Sequence, residues 1–235
     1  MPVRKIFFAF LALAAFSMRA WADTAALQNV HGDVAVLKHG GKDWIPGREA
    51  MTLDAGDRVK TGGNSSVEIQ MDAGLVSLGE KTQFGLKKFE TTEGQIKASL
   101  ELTLGKLKAK VEKLREGSEF KVMTPTSVAS VRGTVFDLWV FEYLEELFTR
   151  LDVTDGVVRL CGLNQAKCED VGTGQHATSG KGDVTEPGEE AEGTIGDQYN
   201  SQEGLDQQNE NAQKDIQDLF FPSGSQGGSR NPNQK

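Results

Sequence analysis

The chain has 235 residues, of which 26 are Lys or Arg and 34 are Asp or Glu, so its formal net charge at pH 7 is −8. An acidic chain without a basic arm is repelled by nucleic acid and by anionic membrane surfaces, so we expect no nucleic-acid partner. The length allows one domain of modest size and a tail.

Residues 1–22 have the pattern of a secretory signal peptide. Arg4 and Lys5 form a short basic region, residues 6–16 are apolar, and residues 20–22 give a small-x-small cleavage site. The apolar run is too short to span a bilayer and no second one follows, so we expect no stable membrane insertion after cleavage. An uncleaved anchor or a buried strand is the alternative. Cleavage would remove three basic residues and no acidic one, which leaves 23 against 34 and a net charge of −11.

Short alternating apolar runs fill residues 30–111. Val34 and Val36 share one face of a strand predicted over residues 30–37. Residues 65–71 and 75–78 flank a turn and predict an antiparallel hairpin. A longer alternation over residues 96–111 is interrupted at Gly105. Many short strands at regular spacing predict an all-β fold, either an antiparallel sandwich or a β-solenoid-like stack.

The richest pattern lies in residues 120–160. Phe120, Val122 and Thr124 alternate with polar residues, and Pro125 ends that strand. Gly133 among β-branched residues predicts a bulge or a close backbone approach. Asp155-Gly156 lies between two apolar runs and predicts a type I′ hairpin turn. Apolar residues within 136–151 also have helical spacing, so the local pattern alone favours a helix there.

These residues carry a resemblance to a known family. The runs Phe120-x-Val122-x-Thr124-Pro125, Ser130-Val131-Arg132-Gly133-Thr134-x-Phe136 and Val153-x-x-Gly156-x-Val158 resemble the core signature of the FecR-like domain family. Leu53-x-x-Gly56-Asp57-x-Val59-x-Thr61-Gly62 resembles the opening of the same domain. The motif residues, which we expect to be structural, are Gly56, Asp57, Thr61, Gly62, Thr124, Pro125, Val131, Arg132, Gly133, Thr134, Phe136 and Gly156.

The resemblance implies an all-β domain over residues 23–178, with its core at 56–160. It also implies two strands instead of a helix within 136–151, joined by residues 143–147. In FecR-type regulators this domain lies outside the inner membrane and relays a receptor signal, through one spanning helix, to a cytoplasmic segment that controls a sigma factor. In this chain a predicted signal peptide stands in place of that segment and helix, so we do not expect anti-sigma activity.

Cys161 and Cys168 are the two cysteines of the chain. Export permits a disulfide between them, across a short hairpin loop. The spacing is not Cys-x-x-Cys and no histidine lies nearby before His176, which disfavours a redox or metal pair, the functional alternative.

A low-complexity tail is predicted over residues 179–235, with one helix over 203–220. Leu205, Ala212, Ile216, Leu219 and Phe220 form one apolar helical stripe. This helix would rest on its own domain or dock onto a partner, and the sequence does not decide between the two.

No pattern of a catalytic, cofactor-binding or metal-binding site is present. His31, His39 and His176 are scattered without ligand spacing and are expected at the surface, and Asp57, Asp72 and Asp155 are expected to support turns. Arg132 is expected to tie strand ends or pair with one acid, or else to recognise a carboxylate or peptide. Lys106, Lys108 and Lys110 share a face that we expect to be solvated, with an anionic envelope polymer as the alternative contact.

The sequence therefore predicts a non-enzymatic binding or regulatory module of the FecR type, periplasmic or secreted. Its expected partner is an envelope protein or a cell-wall polymer. The alternative is a structural protein of an envelope or secretion complex that docks through its C-terminal tail. An exported hydrolase is the least favoured hypothesis.

Overall fold

The computed structural model describes residues 25–163, 167–181 and 183–189. Within these ranges the protein is all-β, with eighteen strands and no helix, and this confirms the predicted fold class. The predicted signal peptide over residues 1–22 and the predicted helix over residues 203–220 lie outside the described residues.

In chain order, the strands are β1 (Ala25–His31), β2 (Val34–Leu37), β3 (Ile45–Pro46), β4 (Thr52–Leu53), β5 (Arg58–Thr61), β6 (Ser66–Met71), β7 (Gly74–Leu78), β8 (Gln83–Thr92), β9 (Gln95–Val111), β10 (Glu119–Met123), β11 (Ser127–Val131), β12 (Val135–Tyr143), β13 (Glu146–Asp155), β14 (Val157–Gly162), β15 (Cys168–Gly172), β16 (Gln175–Gly180), β17 (Asp183–Val184) and β18 (Gly188–Glu189).

These strands form two layers that share β9. Sheet A has the order β4-β1-β6-β7-β9-β12-β13-β16, and both β17 and β18 pair with β16. Sheet B has the order β3-β2-β5-β8-β9-β10-β11-β14-β15. Among the described strands the pairings are antiparallel, except that β9 and β10 run parallel. The sheet is therefore mixed, and it is not closed.

Gly105 lets the long strand β9 serve both layers. Before it, even-numbered residues such as Leu100 and Leu102 are buried, whereas after it the odd-numbered Leu107 and Ala109 are buried. The φ angle of Gly105 is +91°, and a Cβ there would lie 2.5 Å from the Cα of Thr82. Any other residue would be strained and would clash with this backbone. The interruption seen in the sequence is thus the point where β9 passes from sheet B to sheet A.

The core lies between the two layers. Its fully buried side chains come from both sheets and include Leu27, Ile69, Phe84, Leu86, Leu100, Leu107, Phe120, Phe136 and Leu138. Strict alternation along β6, β7 and β11 places one residue in two in this core, as expected for strands of a half-buried sheet.

A buried hydroxyl network ties the layers together at one end. β10 ends at Met123, as Pro125 predicted, and Thr124 begins the turn to β11 in sheet B. The Oγ1 of Thr149, in sheet A, donates a hydrogen bond to the Oγ1 of Thr124 at 2.8 Å and lies 2.7 Å from that of Thr126. Ser179 Oγ of β16 donates to the carbonyl of Thr126 at 3.0 Å. These bonds satisfy polar groups that would otherwise be buried without partners.

The single strand predicted over residues 30–37 is wrong. Residues 25–31 form β1 in sheet A, and residues 34–37 form β2 in sheet B. Gly32, with a φ of +72°, lies in the turn between them. Val34 and Val36 do share a buried face, as the alternation predicts, but the alternation does not show the break before Val34.

The hairpin predicted at Asp155-Gly156 is also wrong. β13 is already paired on both sides, by β12 and β16, and β14 is paired by β11 and β15. Gly156 has a φ of +89° and directs the chain from sheet A to sheet B instead of folding it back. The glycine is needed for a turn, but the two flanking strands belong to different layers.

Residues 136–151 form two strands, as the family resemblance implied and against the helical spacing. β12 and β13 pair antiparallel, and Leu144 and Glu145 form their turn with φ angles of +50° and +63°. Two positive φ angles define a type I′ turn, which normally carries Asn or Gly. Since neither residue is typical of that turn, the hairpin has no recognisable local signal in the sequence.

The structure confirms two smaller predictions, at Gly133 and at the cysteine pair. Gly133 makes a close backbone approach, because a Cβ there would lie 2.9 Å from the Cα of Lys113. Cys161 and Cys168 form a disulfide and are register partners in the β14–β15 hairpin.

Candidate binding site on the outer face of sheet A

The motif residues singled out in the sequence do not form one site. The buried carboxylate of Asp57 accepts backbone hydrogen bonds from His39 at 2.7 Å and Asp54 at 2.9 Å and pairs with Lys38, so it supports a turn. Thr61 Oγ1 donates to the carbonyl of Gly79 at 2.6 Å. Arg132 is exposed in the turn between β11 and β12. These positions hold turns and strands and do not converge on a common pocket.

The other motif residues also lie in turns or in the core. Val131 and Phe136 are buried apolar side chains, and Thr134 is buried next to Gly133. Gly56 donates its backbone N–H to Leu86 at 2.6 Å, and Gly62 donates to Asp33 at 2.8 Å. In the described ranges, no group of three or more His, Cys, Asp or Glu residues is arranged to hold a metal ion.

A different cluster stands out on the face of sheet A that points away from sheet B. Register places Lys108, Asp137 and Asp152 side by side, and places Lys106, Trp139 and Arg150 in the next row. A third row pairs Phe141 with Phe148. We call this set the outer cluster: Lys106, Lys108, Asp137, Trp139, Phe141, Phe148, Arg150 and Asp152.

Aromatic rings form the apolar part of the outer cluster. The ring centroids of Trp139 and Phe141 are 4.3 Å apart, and those of Phe141 and Phe148 are 6.2 Å apart. Lys106 Nζ lies 4.6 Å from the centroid of Trp139, a cation–π distance. Phe148 is completely buried and Phe141 is 6% exposed. These rings are a cluster of their own, separate from the core between the layers.

Arg150 and Asp152 form the better matched of two buried charged pairs beside the rings. Arg150 Nε donates to both carboxylate oxygens of Asp152, at 3.0 and 3.2 Å, and the two residues are only 6% and 8% exposed. A guanidinium that is hydrogen-bonded in this way has a fixed orientation as well as a positive charge.

Asp137 is less well compensated. Lys108 Nζ lies 3.6 Å from its Oδ2, which is too far for a hydrogen bond. Burial is the main reason that the pKa of Asp137 is raised to about 6, against the opposing charges of Lys108 and Lys106. Burying the charged carboxylate of Asp137 therefore costs more free energy than the nearby charges of Lys108 and Lys106 return.

The outer cluster is unusual for its position. An antiparallel sheet usually has one face in the core and one in water, and its outward residues are then polar and exposed. In this protein β12 and β13 bury both faces. Aromatic and arginine side chains in such a setting are typical of a surface that is covered by another element or by a partner.

Sequence reasoning missed this cluster. The lysine stripe at residues 106–110 was expected to be solvated, yet Lys106 stacks on Trp139 and Lys108 pairs with Asp137. A signal was present in residues 135–143, where apolar residues occur on both faces of one strand. Such a run indicates a strand buried on both sides, but the competing helical spacing concealed it.

Residues 57–159 match the sequence model of the family described as FecR protein. This segment is a FecR domain. It contains the whole outer cluster, whereas β16, which extends the same face, lies beyond the matched residues. In the described part of the chain, no helix has the length and apolar character to cross a membrane.

Two solved structures resemble part of this chain. Two crystal structures of a candidate anti-sigma factor from Parabacteroides distasonis ATCC 8503 have TM-scores of 0.45 and 0.46, at 17% and 15% sequence identity. Each match covers 57% of this chain and 59% of the other. No curated protein has a sequence that matches this chain significantly.

Proposed function

We propose that this protein is a non-enzymatic binding module of the FecR type, that it acts in the periplasm or outside the cell, and that it binds an envelope component through the outer face of sheet A. The observation that carries the proposal is the FecR match over residues 57–159, because it covers the strands that build the outer cluster.

The composition of the outer cluster supports binding. Tryptophan and arginine are the side chains that most often dominate the energy of protein interfaces. Trp139 and Lys106 are half-buried members of the cluster, and Lys106 lies over the indole, whereas Arg150 is buried beside Trp139 and is held by Asp152. A partner that offers an apolar patch with acidic groups would find matching chemistry on this face.

The arrangement of the charged side chains favours the binding of a partner over catalysis. Arg150 Nε donates to both carboxylate oxygens of Asp152, which fixes the orientation of the acid. The signal-peptide pattern of residues 1–22 supports export. The net charge of −8 disfavours a nucleic-acid partner.

Export and saturable binding are the two properties to test. The full chain would be expressed in its host and located by cell fractionation, and the purified protein would be used to capture components of envelope extracts. We expect the protein outside the cytoplasm and one component whose capture saturates and is competed by untagged protein. A protein that stays in the cytoplasm would contradict the proposal. So would turnover of a substrate that is abolished by Asp137→Asn or Asp152→Asn.

A further inference from the structure

β15 is the longest of the described strands that lie at an end of a sheet. Sheet B ends at β3 and β15, and sheet A ends at β4 on one side and at β17 and β18 on the other. These other end strands have two residues each, and β3 contains Pro46, which has no N–H to donate. β15 has five residues, Cys168–Gly172, without a proline. In the described ranges β15 pairs only with β14, so its other side is an open edge.

The hydrogen-bond pattern shows which groups this edge presents. Gly162 N–H donates to the carbonyl of Lys167 at 3.0 Å, at the start of the β14–β15 pairing. Hydrogen-bonded and non-hydrogen-bonded pairs alternate along two antiparallel strands, so Glu169 bonds to β14. Cys168 and Asp170 therefore turn their N–H and C=O groups away from β14. Two donors and two acceptors allow four hydrogen bonds with one added strand.

Both ends of this edge are held in place. Cys168 begins β15 and is joined to its register partner Cys161 by the disulfide. At the other end, Gly172 N–H donates to Gln175 Oε1 at 2.9 Å. A strand that is already fixed in an extended conformation loses little conformational entropy when another strand pairs with it. β15 is therefore a preformed template for strand addition.

The acidic residues of β15 disfavour a second copy of this chain as the added strand. In an antiparallel pairing centred on Glu169, this residue lies directly opposite its own copy. In the register centred on the next residue, Asp170 does so instead. Like charges directly opposite each other are destabilising. Asp170 is already paired with Arg159 at 3.1 Å, so the half-buried Glu169 is the acid that an added strand would complement with a basic residue.

We propose that β15 accepts an extended segment of another protein as an added strand, and that this segment places Lys or Arg opposite Glu169. The main-chain hydrogen bonds of Cys168 and Asp170 supply affinity, and the charge opposite Glu169 supplies the preference. The added strand extends sheet B and leaves the outer cluster on sheet A unchanged. This surface is thus a second one, and it is independent of the proposed function.

A synthetic peptide tests the pairing in the full chain. The probe is the capped peptide Thr-Val-Thr-Lys-Thr-Val, which in antiparallel alignment places its lysine opposite Glu169 and a valine opposite Val171. Binding is followed by NMR at millimolar peptide. We expect amide resonances to shift mainly within residues 167–172, and we expect slower hydrogen exchange at the amides of Cys168 and Asp170.

Two altered peptides serve as matched probes of the wild-type protein. N-methylation of the third and fifth residues removes the two N–H groups that face β15 and should weaken binding at least about tenfold. Replacing the lysine by glutamate keeps the main-chain groups, but it places like charges opposite each other and should weaken binding about threefold. Glu169→Lys should reverse the preference between the lysine and glutamate peptides.

Two substitutions at one position separate the main-chain contact from the side chain. Asp170→Pro and Asp170→Ala both remove the carboxylate that pairs with Arg159, but only the proline removes the outward N–H. We expect Asp170→Ala to bind the lysine peptide within about twofold of the wild type and Asp170→Pro to bind it at least about fivefold more weakly. Urea unfolding checks that both variants are folded, and the N-methylated peptide decides the matter if Asp170→Pro is not.

Several results would overturn the inference. They are no binding of the lysine peptide at millimolar concentration, resonance shifts that map outside residues 167–172, equal binding of the N-methylated peptide, and equal binding by the two folded Asp170 variants. Equal binding of the lysine and glutamate peptides by the wild type would overturn the role of Glu169. These measurements do not involve the outer cluster, so they leave the proposed function to its own test.

Discussion

The ring of Phe148 lies directly over Gly180, its register partner in the neighbouring strand. A Cβ at position 180 would be 2.2 Å from Cδ1 of Phe148 and 2.4 Å from Cε1. The ring of Phe148 therefore occupies the space that a side chain at position 180 would fill. This contact joins β16, which lies outside the matched residues, to the FecR domain.

Gly180→Ala should displace the ring and destabilise the protein. Overpacking of this kind costs about 1–3 kcal/mol. The free energy of unfolding can be measured in urea, with Gly63→Ala as the control, since a Cβ at position 63 meets only a lysine carbon at 3.9 Å. Phe148→Leu in the Gly180→Ala background should recover part of the loss. Equal stability of the two alanine variants would contradict this packing.

Asp137 should make the protein less stable as the pH rises from about 4 to 7. Its pKa is raised from 3.8 to about 6 in the folded state, so the folded protein holds the proton more tightly than the unfolded chain. Stability is highest where the group is protonated and falls as the pH passes through this range, by up to about 3 kcal/mol. Asp137→Asn should remove that loss and stabilise the protein at pH 8.

The comparison needs unfolding curves at pH 4.5 and pH 8 for both proteins. Asp155→Asn, at the exposed end of β13, is the matched control and should leave the difference between the two pH values as in the wild type. If Asp137→Asn were less stable than the wild type at pH 8, the pairing of Asp137 with Lys108 would stabilise the protein more than the burial of the carboxylate destabilises it. That result would contradict the prediction.

The local sequence patterns predict which faces of the strands are buried, but they do not predict which sheet each strand joins. Alternation identified the buried faces of β6, β7 and β9, because one residue in two meets the core. It did not show which sheet a strand joins, so the break at Gly32 and the crossing at Gly156 were missed. Both are glycines with positive φ, and a turn within a hairpin looks the same in the sequence as a turn between layers.

The outer cluster was hidden for a different reason. Its members come from β9, β12 and β13 and meet only through strand register. Lys106 and Lys108 alone resemble a solvated stripe, and their environment depends on Trp139 and Asp137, about thirty residues away in the sequence. Charge burial of this kind is a tertiary property, which periodicity and composition do not report.

Thr149→Val should weaken the connection between the two layers. The hydroxyl of Thr149 contacts Thr124 Oγ1 at 2.8 Å and Thr126 Oγ1 at 2.7 Å. Valine has nearly the same shape but leaves these buried hydroxyls without that partner, at a cost of about 1–3 kcal/mol. Thr103→Val, in β9 of sheet B, is the control and should cost less. Urea unfolding checks the difference, and equal values would mean that the network adds nothing.

The disulfide should stabilise the β14–β15 hairpin. Replacing Cys161 and Cys168 together by serine should lower the free energy of unfolding by up to about 2.5 kcal/mol, the entropic value for so short a loop. Reducing the wild-type protein should have the same effect, and the reductant should not change the double variant. A wild-type protein insensitive to reductant under unfolding conditions would contradict this role.

The most direct test of the binding face compares two lysines that stack on tryptophan. Lys106 Nζ lies 4.6 Å from the Trp139 centroid on the outer cluster, and Lys60 Nζ, on sheet B, lies 4.5 Å from that of Trp44. Lys106→Glu and Lys60→Glu make the same charge change beside a tryptophan ring, on different sheets. We predict that Lys106→Glu lowers capture of the envelope component at least about tenfold, as expected for a charge placed at a binding centre, while Lys60→Glu captures it like the wild type. Equal capture by the two variants would contradict the assignment of binding to the outer face of sheet A.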